Sequence, residues 1–232
     1  MPSLRAIVFD LDDTLYLEED YVHSGFRAAS EWGAEHLHVP ASQGYFELDA
    51  LFRDGVRGDT FDRWLSRHGV DSDGVVSELV RVYREHVPRI EPLPAAPALL
   101  ERLADRYRLG LLSDGYVAVQ NAKLDALGLR DAFAAVLITD ELGRDAWKPS
   151  PRGFEVLMER LGVPPAEAVY VSDNPAKDFV AARDAGLRSV RVRHDHGIYA
   201  DLQPQSARHA PDVQAQGLEE VEQAIAQLEG RG

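Results

Sequence analysis

Four short apolar runs, each followed within two positions by an aspartate, place the strongest limit on how this chain can fold. They lack the alternation of a half-exposed strand and are typical of fully buried strands. Segments with helical periodicity alternate with them, which predicts an α/β fold with a doubly wound parallel sheet, a Rossmann-like core. The predicted strands are residues 6–9, 109–112, 136–139 and 169–171, with a further short run at 189–192, and the predicted helices are 95–107, 117–127, 151–161 and 175–185.

An insertion separates the first two predicted strands by far more residues than a crossover requires. It carries four helical patterns, at residues 18–37, 43–52, 60–68 and 74–86. We therefore predict an α/β core formed by residues 1–16 and 93–232, with a small helical domain inserted at residues 17–92. Near the end of the chain, a surface loop at 194–211 precedes a predicted edge strand at 212–214 and a helix at 218–228.

Composition excludes several classes of function. With 25 Lys plus Arg against 39 Asp plus Glu, the net charge of −14 repels nucleic acids and anionic membranes. The absence of cysteine rules out disulfides, thiolate metal sites and cysteine nucleophiles. The first apolar run is too short for a signal sequence, and no run approaches the ~18 residues of a membrane span. We expect a cytoplasmic protein that is a monomer or a weak homodimer, since no heptad pattern argues for more.

The segment after the first strand, Asp10-Leu11-Asp12-Asp13-Thr14, holds three carboxylates in four positions. Ligands of open parallel sheets bind beyond the carboxyl ends of the strands. Crowded carboxylates in such a crevice repel one another unless a cation neutralises them. Capping of a turn by Asp12 or Thr14 is the alternative, but a cap needs one such residue rather than several.

Three further motifs follow later strands in order: Ser113-Asp114-Gly115, Lys148 before Pro149, and the pair Asp173 and Asp178 at a spacing of five. Together with the first motif they resemble the four motifs of the haloacid dehalogenase-like hydrolases. The likeness spans nearly the whole chain, and the inserted helices resemble the helical cap of that family.

The residue types suit phosphoryl transfer. A carboxylate is a competent nucleophile toward phosphorus, and we assign that role to Asp10. Asp12 can act as general acid and base, provided that its surroundings raise its pKa. Ser113, the backbone N–H groups of Asp114 and Gly115, and the Lys148 ammonium would bind the phosphate. We expect Gly115 to let the chain approach that group closely. Taken by itself, Lys148 is more readily explained as a solvated loop lysine, and only its place among the motifs favours a role in phosphate binding.

A magnesium site is predicted beside these residues, because Mg²⁺ prefers carboxylates, waters and substrate oxygens. We place it on Asp10, the backbone carbonyl of Asp12, and Asp173. Asp178, one turn into the predicted helix 175–185, would act through a water or by orienting a ligand. Asp173 could instead be the N-cap of that helix.

Three positions depart from the family pattern. Ser172 stands where many members have glycine, and Asp114 stands where asparagine is common, so its charge could repel a phosphate. Trp147 lies in a longer approach to Lys148 and is expected to pack that loop. Other candidates have ordinary structural explanations as well: Arg53, Arg57, Arg63 and Trp64 as substrate readers in the helical domain, and the His194-Asp195-His196 run as a metal site.

The sequence thus predicts a Mg²⁺-dependent phosphatase that hydrolyses a small phosphorylated metabolite through an aspartyl-phosphate intermediate. Two other enzymes can use the same residues, a phosphomutase and a dehalogenase, although a dehalogenase does not need Asp12. A binding or regulatory relative without turnover is the alternative from another class.

Overall fold

The computed structural model describes residues 3–230 of the chain. Within them, six parallel strands form one sheet in the order β3-β2-β1-β4-β5-β6. The strands are β1 Ala6–Phe9, β2 Arg108–Ser113, β3 Ala135–Ile138, β4 Ala168–Ser172, β5 Arg188–Val192 and β6 Val213–Ala215. Strand order reverses between β1 and β4, so the ligand-binding crevice of such a sheet lies at their carboxyl ends. The predicted fold class is confirmed.

The strand β1 shows why its sequence has no alternation. All four of its residues are fully buried, since the strand pairs with β2 on one side and β4 on the other. The residues of one face pack with Leu112, Phe154 and Tyr170 in a large apolar cluster.

Nine helices accompany the sheet within residues 3–230, and most begin and end within two or three residues of the predicted bounds. They are α1 Glu18–His36, α2 Ala41–Arg53, α3 Thr60–Arg67, α4 Val75–Glu85, α5 Ala96–Ala104, α6 Val117–Leu127, α7 Arg152–Leu161, α8 Asp178–Asp184 and α9 Val221–Leu228. No helix in this part of the chain has both the length and the apolar character needed to cross a bilayer.

The start of α8 corrects one prediction. The Asn174 side chain accepts a hydrogen bond from the Ala176 N–H at 2.9 Å, which holds the preceding residues in a turn instead of a helix. Asp178 is therefore the first residue of α8 and not one turn inside it, and Asp173 is not the N-cap.

Contacts divide the chain into two compact units, one comprising the residues up to Glu18 and from Glu91 onward, the other Glu19–Ile90. The second unit contains α2, α3, α4 and nearly all of α1. Its core surrounds Trp64, which is fully buried and packs with Phe26 and Leu48.

The candidate substrate readers of this helical unit make local contacts instead. The Trp64 indole N–H donates to Glu47 at 2.9 Å. The three arginines make contacts within the helical unit. Arg53 pairs with Asp49 at 2.9 Å, Arg63 pairs with Asp59 at 2.8 Å, and the Arg57 guanidinium lies 3.8 Å from the centre of the Phe52 ring. Their ordinary structural explanation is therefore favoured.

Candidate active site

Asp10 follows β1 directly and is 6% exposed. Its Oδ1 accepts the Leu11 N–H at 2.9 Å, and its Oδ2 lies 3.0 Å from Lys148 Nζ and 3.3 Å from Ser172 Oγ. Burial raises the pKa of Asp10 to about 6, even though the Lys148 charge opposes that rise. A carboxylate with these donors is fixed in one orientation.

Asp10, Asp173 and Asp178 bring one carboxylate oxygen each to within 4.8 Å of one another, and all three residues are buried. Burial, followed by the charges of Asp178 and Asp10, raises the pKa of Asp173 well above its ordinary value. Among the described residues, no group hydrogen-bonds to Asp173 Oδ2, which is buried. Crowded oxygens with an unpartnered acceptor suit a hard divalent cation. Asp178 is a member of this cluster, whereas the sequence predicted that it would act only through a water or by orienting a ligand.

Lys148 is not a solvated loop lysine, because only 1% of its side chain is exposed. Its Nζ lies 3.0 Å from Asp10 Oδ2, 2.9 Å from Asp178 Oδ1 and 2.7 Å from the hydroxyl of Tyr170. Burial alone would lower the pKa of Lys148, but the charges of Asp10 and Asp178 outweigh it and raise the pKa well above its ordinary value. The side chain is thus an ammonium among carboxylates. Sequence reasoning missed Tyr170 because an aromatic residue inside a strand signals only core packing.

The surroundings of Asp12 differ from those that its predicted acid–base role requires. Its Oδ1 accepts hydrogen bonds from Lys123 Nζ at 2.6 Å and from the Tyr16 hydroxyl, and its Oδ2 accepts one from Gln120 Nε2 at 2.8 Å. Burial alone would raise the pKa of Asp12, but the Lys123 charge and these hydrogen bonds outweigh it and lower the pKa. The free protein therefore does not supply the raised pKa that was set as the condition for an acid–base role.

Sequence reasoning also missed Gln120 and Lys123, although the pattern of α6 contained a signal. Both are buried, at 1% and 4% exposure, on the helix face that also carries the buried Leu124 and Leu127. Two polar residues at core positions of a helix need partners inside the protein. Here the partners come from the first motif.

Asp13 has a structural role. Its backbone adopts a left-handed φ of 48°, and its two oxygens accept the N–H groups of Glu18 at 2.8 Å and Ile198 at 2.7 Å. It therefore ties the start of α1 and the loop after β5 to the first motif. The turn-capping role considered for Asp12 or Thr14 belongs to this residue, while Thr14 is fully buried.

The second motif begins at Ser113, the last residue of β2. Ser113 is fully buried, and its Oγ accepts a hydrogen bond from Gln120 Nε2 at 2.6 Å. Gly115 has a φ of +129°, and a Cβ there would lie 3.0 Å from the Gln120 side chain. Local packing, in addition to any close approach of a ligand, therefore requires glycine.

The negative charge of Asp114 is neutralised by neighbouring donors. Its carboxylate accepts hydrogen bonds from Lys177 Nζ at 2.7 Å, Thr139 Oγ1 at 2.8 Å and the Lys148 N–H at 3.2 Å. Burial alone would raise the pKa of Asp114, but the charges of Lys148 and Lys177 lower it. The extra carboxylate is thus compensated by Lys177.

The distribution of lysines marks the site more sharply than any single motif. The whole chain has only three lysines against 22 arginines. Each of the three contacts a motif carboxylate: Lys123 with Asp12, Lys148 with Asp10, and Lys177 with Asp114.

Ser172 lies between two carboxylates: its hydroxyl donates to Asp178 Oδ2, and its Oγ lies 3.3 Å from Asp10 Oδ2. It therefore contributes a polar contact where glycine would offer none. Trp147 packs as expected, with the Arg144 guanidinium 3.8 Å from its ring centre and its indole N–H 3.3 Å from Asp140.

The His194-Asp195-His196 run does not gather as a metal site. Within residues 3–230 the only group of three acidic or imidazole ligands that could hold an ion is the cluster of Asp10, Asp173 and Asp178. His194 Nε2 instead lies 3.3 Å from the carbonyl of Thr14, and its two neighbours are exposed.

Comparison with known proteins places this arrangement in a family. Residues 4–186 match the family model described as haloacid dehalogenase-like hydrolase. The glyceraldehyde 3-phosphate phosphatase of Methanopyrus kandleri is 32% identical over 97% of this chain and 98% of its own length. The phosphoserine phosphatase of Thermus thermophilus is 38% identical over 62% of this chain and 55% of its own length.

A crystal structure of a 2-haloacid dehalogenase from Pseudomonas syringae pv. Tomato DC3000 has the same fold. It superposes with a TM-score of 0.66 at 26% identity, covering 97% of this chain and 99% of that one. The motifs, the sheet and these relatives agree: this chain belongs to the haloacid dehalogenase-like hydrolase family.

Proposed function

We propose that this protein is a Mg²⁺-dependent phosphatase that hydrolyses a small phosphorylated metabolite through an aspartyl-phosphate on Asp10. The observation that carries the proposal is the pairing of two differently surrounded carboxylates. Asp10 lies in a buried cluster that suits a cation, with the Lys148 ammonium 3.0 Å away. Asp12, two residues on, lies outside that cluster and is held by its own donors.

In the first step, an oxygen of Asp10 forms a bond to phosphorus while the bond from phosphorus to the alcohol oxygen breaks. Asp12 gives a proton to the departing oxygen. Asp12 binds this proton more readily beside a phosphate dianion than in the free enzyme, since added negative charge raises the pKa of a carboxyl group. Lys148 and the Ser113 hydroxyl stabilise the negative charge on the transferred oxygens.

In the second step, the oxygen of a water forms a bond to phosphorus and the bond between Asp10 and phosphorus breaks. The water proton passes to Asp12, which restores the starting protonation of the pair. The lowered pKa keeps Asp12 ionised in the free enzyme, and the negative charge of the phosphoryl group on Asp10 raises the affinity of Asp12 for the water proton in this step.

Asp10, Asp173 and Asp178, with the backbone carbonyl of Asp12, are the residues that would hold Mg²⁺. When bound, the ion neutralises the crowded carboxylates and the charge of the incoming phosphate. The unpartnered Oδ2 of Asp173 supports this assignment.

The test is phosphate release from a panel of phosphomonoesters. The panel contains 4-nitrophenyl phosphate, with glyceraldehyde 3-phosphate and phosphoserine included because relatives carry those names. Wild type and Asp10→Asn are compared with Mg²⁺ and with a chelator. We expect release that needs the metal, is lost in Asp10→Asn, and leaves an acid-stable phosphoryl group on wild-type Asp10 after rapid quenching.

Two further assays separate the alternatives. Halide release from a 2-haloacid without phosphate release from any ester would overturn the proposal in favour of a dehalogenase. Phosphoryl exchange with a sugar bisphosphate, without net phosphate release, would favour a mutase. Folded wild type that is inactive in all three assays would indicate a binding or regulatory protein.

A further inference from the structure

The three donors around Asp12 form a group that the four motifs do not include. Lys123 and Gln120 come from α6, and Tyr16 comes from the segment just after the first motif. All three are at least 95% buried as residues. Holding an amide and an ammonium in such positions is costly unless their hydrogen bonds are satisfied.

These donors occupy most of the acceptor capacity of one carboxylate. Lys123 Nζ and the Tyr16 hydroxyl both donate to Oδ1, and Gln120 Nε2 donates to Oδ2 at 2.8 Å. A carboxylate offers about four acceptor positions. Within residues 3–230, these three hydrogen bonds leave about one acceptor position of Asp12 open, and it is on Oδ2, the oxygen bound by Gln120.

Gln120 also connects Asp12 to the predicted phosphate-binding serine. The same Nε2 that donates to Asp12 donates to Ser113 Oγ at 2.6 Å, so one amide group uses both of its hydrogens within the site. Ser113 accepts this bond, and its own proton makes only a long contact of 3.5 Å to the Asp114 carbonyl, which an oxygen of a bound phosphate could replace. Gly115 leaves the space that the Gln120 side chain fills.

We propose that Lys123, Tyr16 and Gln120 are positioning residues that clamp the Asp12 carboxylate for attack of water on the phosphoenzyme. The proposal rests on the phosphatase function proposed above. The clamp leaves one oxygen of Asp12 to receive the water proton, and it couples that oxygen to the phosphate-binding hydroxyl through Gln120.

A good leaving group isolates the step in which the clamp acts. Nitrophenolate departs from 4-nitrophenyl phosphate without protonation, so formation of the phosphoenzyme from this ester does not need Asp12. Breakdown of the phosphoenzyme needs a base on water whatever the substrate was. Loss of the clamp is therefore expected to slow the second step and spare the first.

The experiment uses the full-length chain with Mg²⁺ and the variants Lys123→Met and Tyr16→Phe. For 4-nitrophenyl phosphate we expect kcat to fall by roughly 10- to 100-fold, a fraction of the 10²–10⁴ that acid–base catalysis supplies. We expect kcat/KM to stay within about twofold, because KM falls with kcat when breakdown becomes limiting. Rapid quenching should show a nitrophenolate burst of about one equivalent, and phosphoenzyme should accumulate.

Two comparisons sharpen the result. An alkyl phosphate, whose leaving group requires a proton, should lose kcat and kcat/KM together in the same variants. Gln120→Leu should lower both parameters even for the nitrophenyl ester, since it also contacts Ser113. Asp125→Asn is the matched control, because Asp125 lies on the same helix, α6, and loses only an exposed ion pair with Arg130, so this variant should behave as wild type.

Unchanged kcat in both clamp variants would overturn the proposal, and so would a proportional fall of kcat and kcat/KM without a burst. If Lys123→Met does not fold, the nearly isosteric Tyr16→Phe decides between these results. Failure of the phosphatase function is a separate outcome, since wild type would then release no phosphate at all.

Discussion

Lys148 is the residue whose removal tests the electrostatics of the site most directly. It lies about equally far from two buried carboxylates, 3.0 Å from Asp10 and 2.9 Å from Asp178. Lys148→Met keeps most of the side-chain volume and removes the charge. We expect this variant to be inactive and, in the presence of a chelator, to have a less stable α/β unit.

The size of the effect follows from two limits. At an effective dielectric of ~20, each charge pair at this distance is worth about 5 kcal/mol before desolvation. The loss cannot exceed the cost of protonating a carboxylate, since a stranded group would instead bind a proton. For a carboxyl group with an ordinary pKa of 3.8, that cost is about 4 kcal/mol at pH 7 and about 1.5 kcal/mol at pH 5.

The destabilisation caused by Lys148→Met should therefore shrink as pH falls. Above the wild-type Asp10 pKa of about 6, the folded variant binds up to one proton more than folded wild type, so its stability relative to wild type rises by up to about 1.4 kcal/mol per pH unit lost, and by less once wild-type Asp10 also binds a proton. Adding Asp178→Asn to the variant removes one stranded carboxylate. The double variant should recover a large part of the loss at pH 7.

Hydrogen exchange of the β1 and β4 amides is the appropriate assay, because it reports on the α/β unit separately from the helical unit. Arg160→Met is the control, since it breaks a half-exposed ion pair with Glu141 on the same unit and should cost under ~1 kcal/mol at either pH. A loss in Lys148→Met that is the same at pH 5 and pH 7 would refute the reasoning, because it would come from packing and not from charge.

Three further predictions follow from contacts in each unit. Burial, then the Asp12 charge, raises the pKa of Glu18 to about 7, so this group's contribution to stability is present below pH ~4.5 and is lost as pH rises through 7. Glu18→Gln should be more stable than wild type by roughly 3 kcal/mol at pH 8 and equal at pH 4.5 in urea titrations, and a pH-independent difference would contradict this. Lys177→Met should raise KM for an aryl phosphate about tenfold, ~1.4 kcal/mol, because it leaves the Asp114 charge uncompensated. Adding Asp114→Asn to this variant should restore KM, whereas simple additivity of the two changes would show that the ion pair between Lys177 and Asp114 does not matter for binding. Gly33→Ala places a Cβ 2.5 Å from the buried Trp64 ring and should destabilise the helical unit by roughly 1–3 kcal/mol, measured by tryptophan fluorescence in urea, whereas a change below ~0.5 kcal/mol would show that the ring can shift.

The parts of the site that sequence reasoning located are those that depend on strand ends alone. Asp10 and Asp173 follow neighbouring parallel strands, so the topology brings them together once the strands are identified. Lys148 could be placed only through the motif order, because an isolated lysine before a proline carries no such signal.

The surroundings of Asp12 could not be derived in the same way. They depend on which face of α6 turns toward the first motif, and the partners Gln120 and Lys123 are more than 100 residues away along the chain. Helical periodicity locates α6 but does not state what its buried polar residues contact. The start of α8 was missed for a local reason, since the Asn174 side chain competes with the first helical hydrogen bonds.

Because lysine is so scarce, reagents that modify primary amines act almost entirely at the candidate site of this protein. Outside the site, every permanently cationic side chain is an arginine, so reagents that acylate or alkylate primary amines find only the site lysines and the chain terminus. Lys177, with 33% of its side chain exposed, is the most accessible of the three. Coupling the protein to a support through amines would therefore damage the site first. Reductive ¹³C-methylation of unfolded and refolded protein would yield three lysine signals, each reporting on one carboxylate of the site.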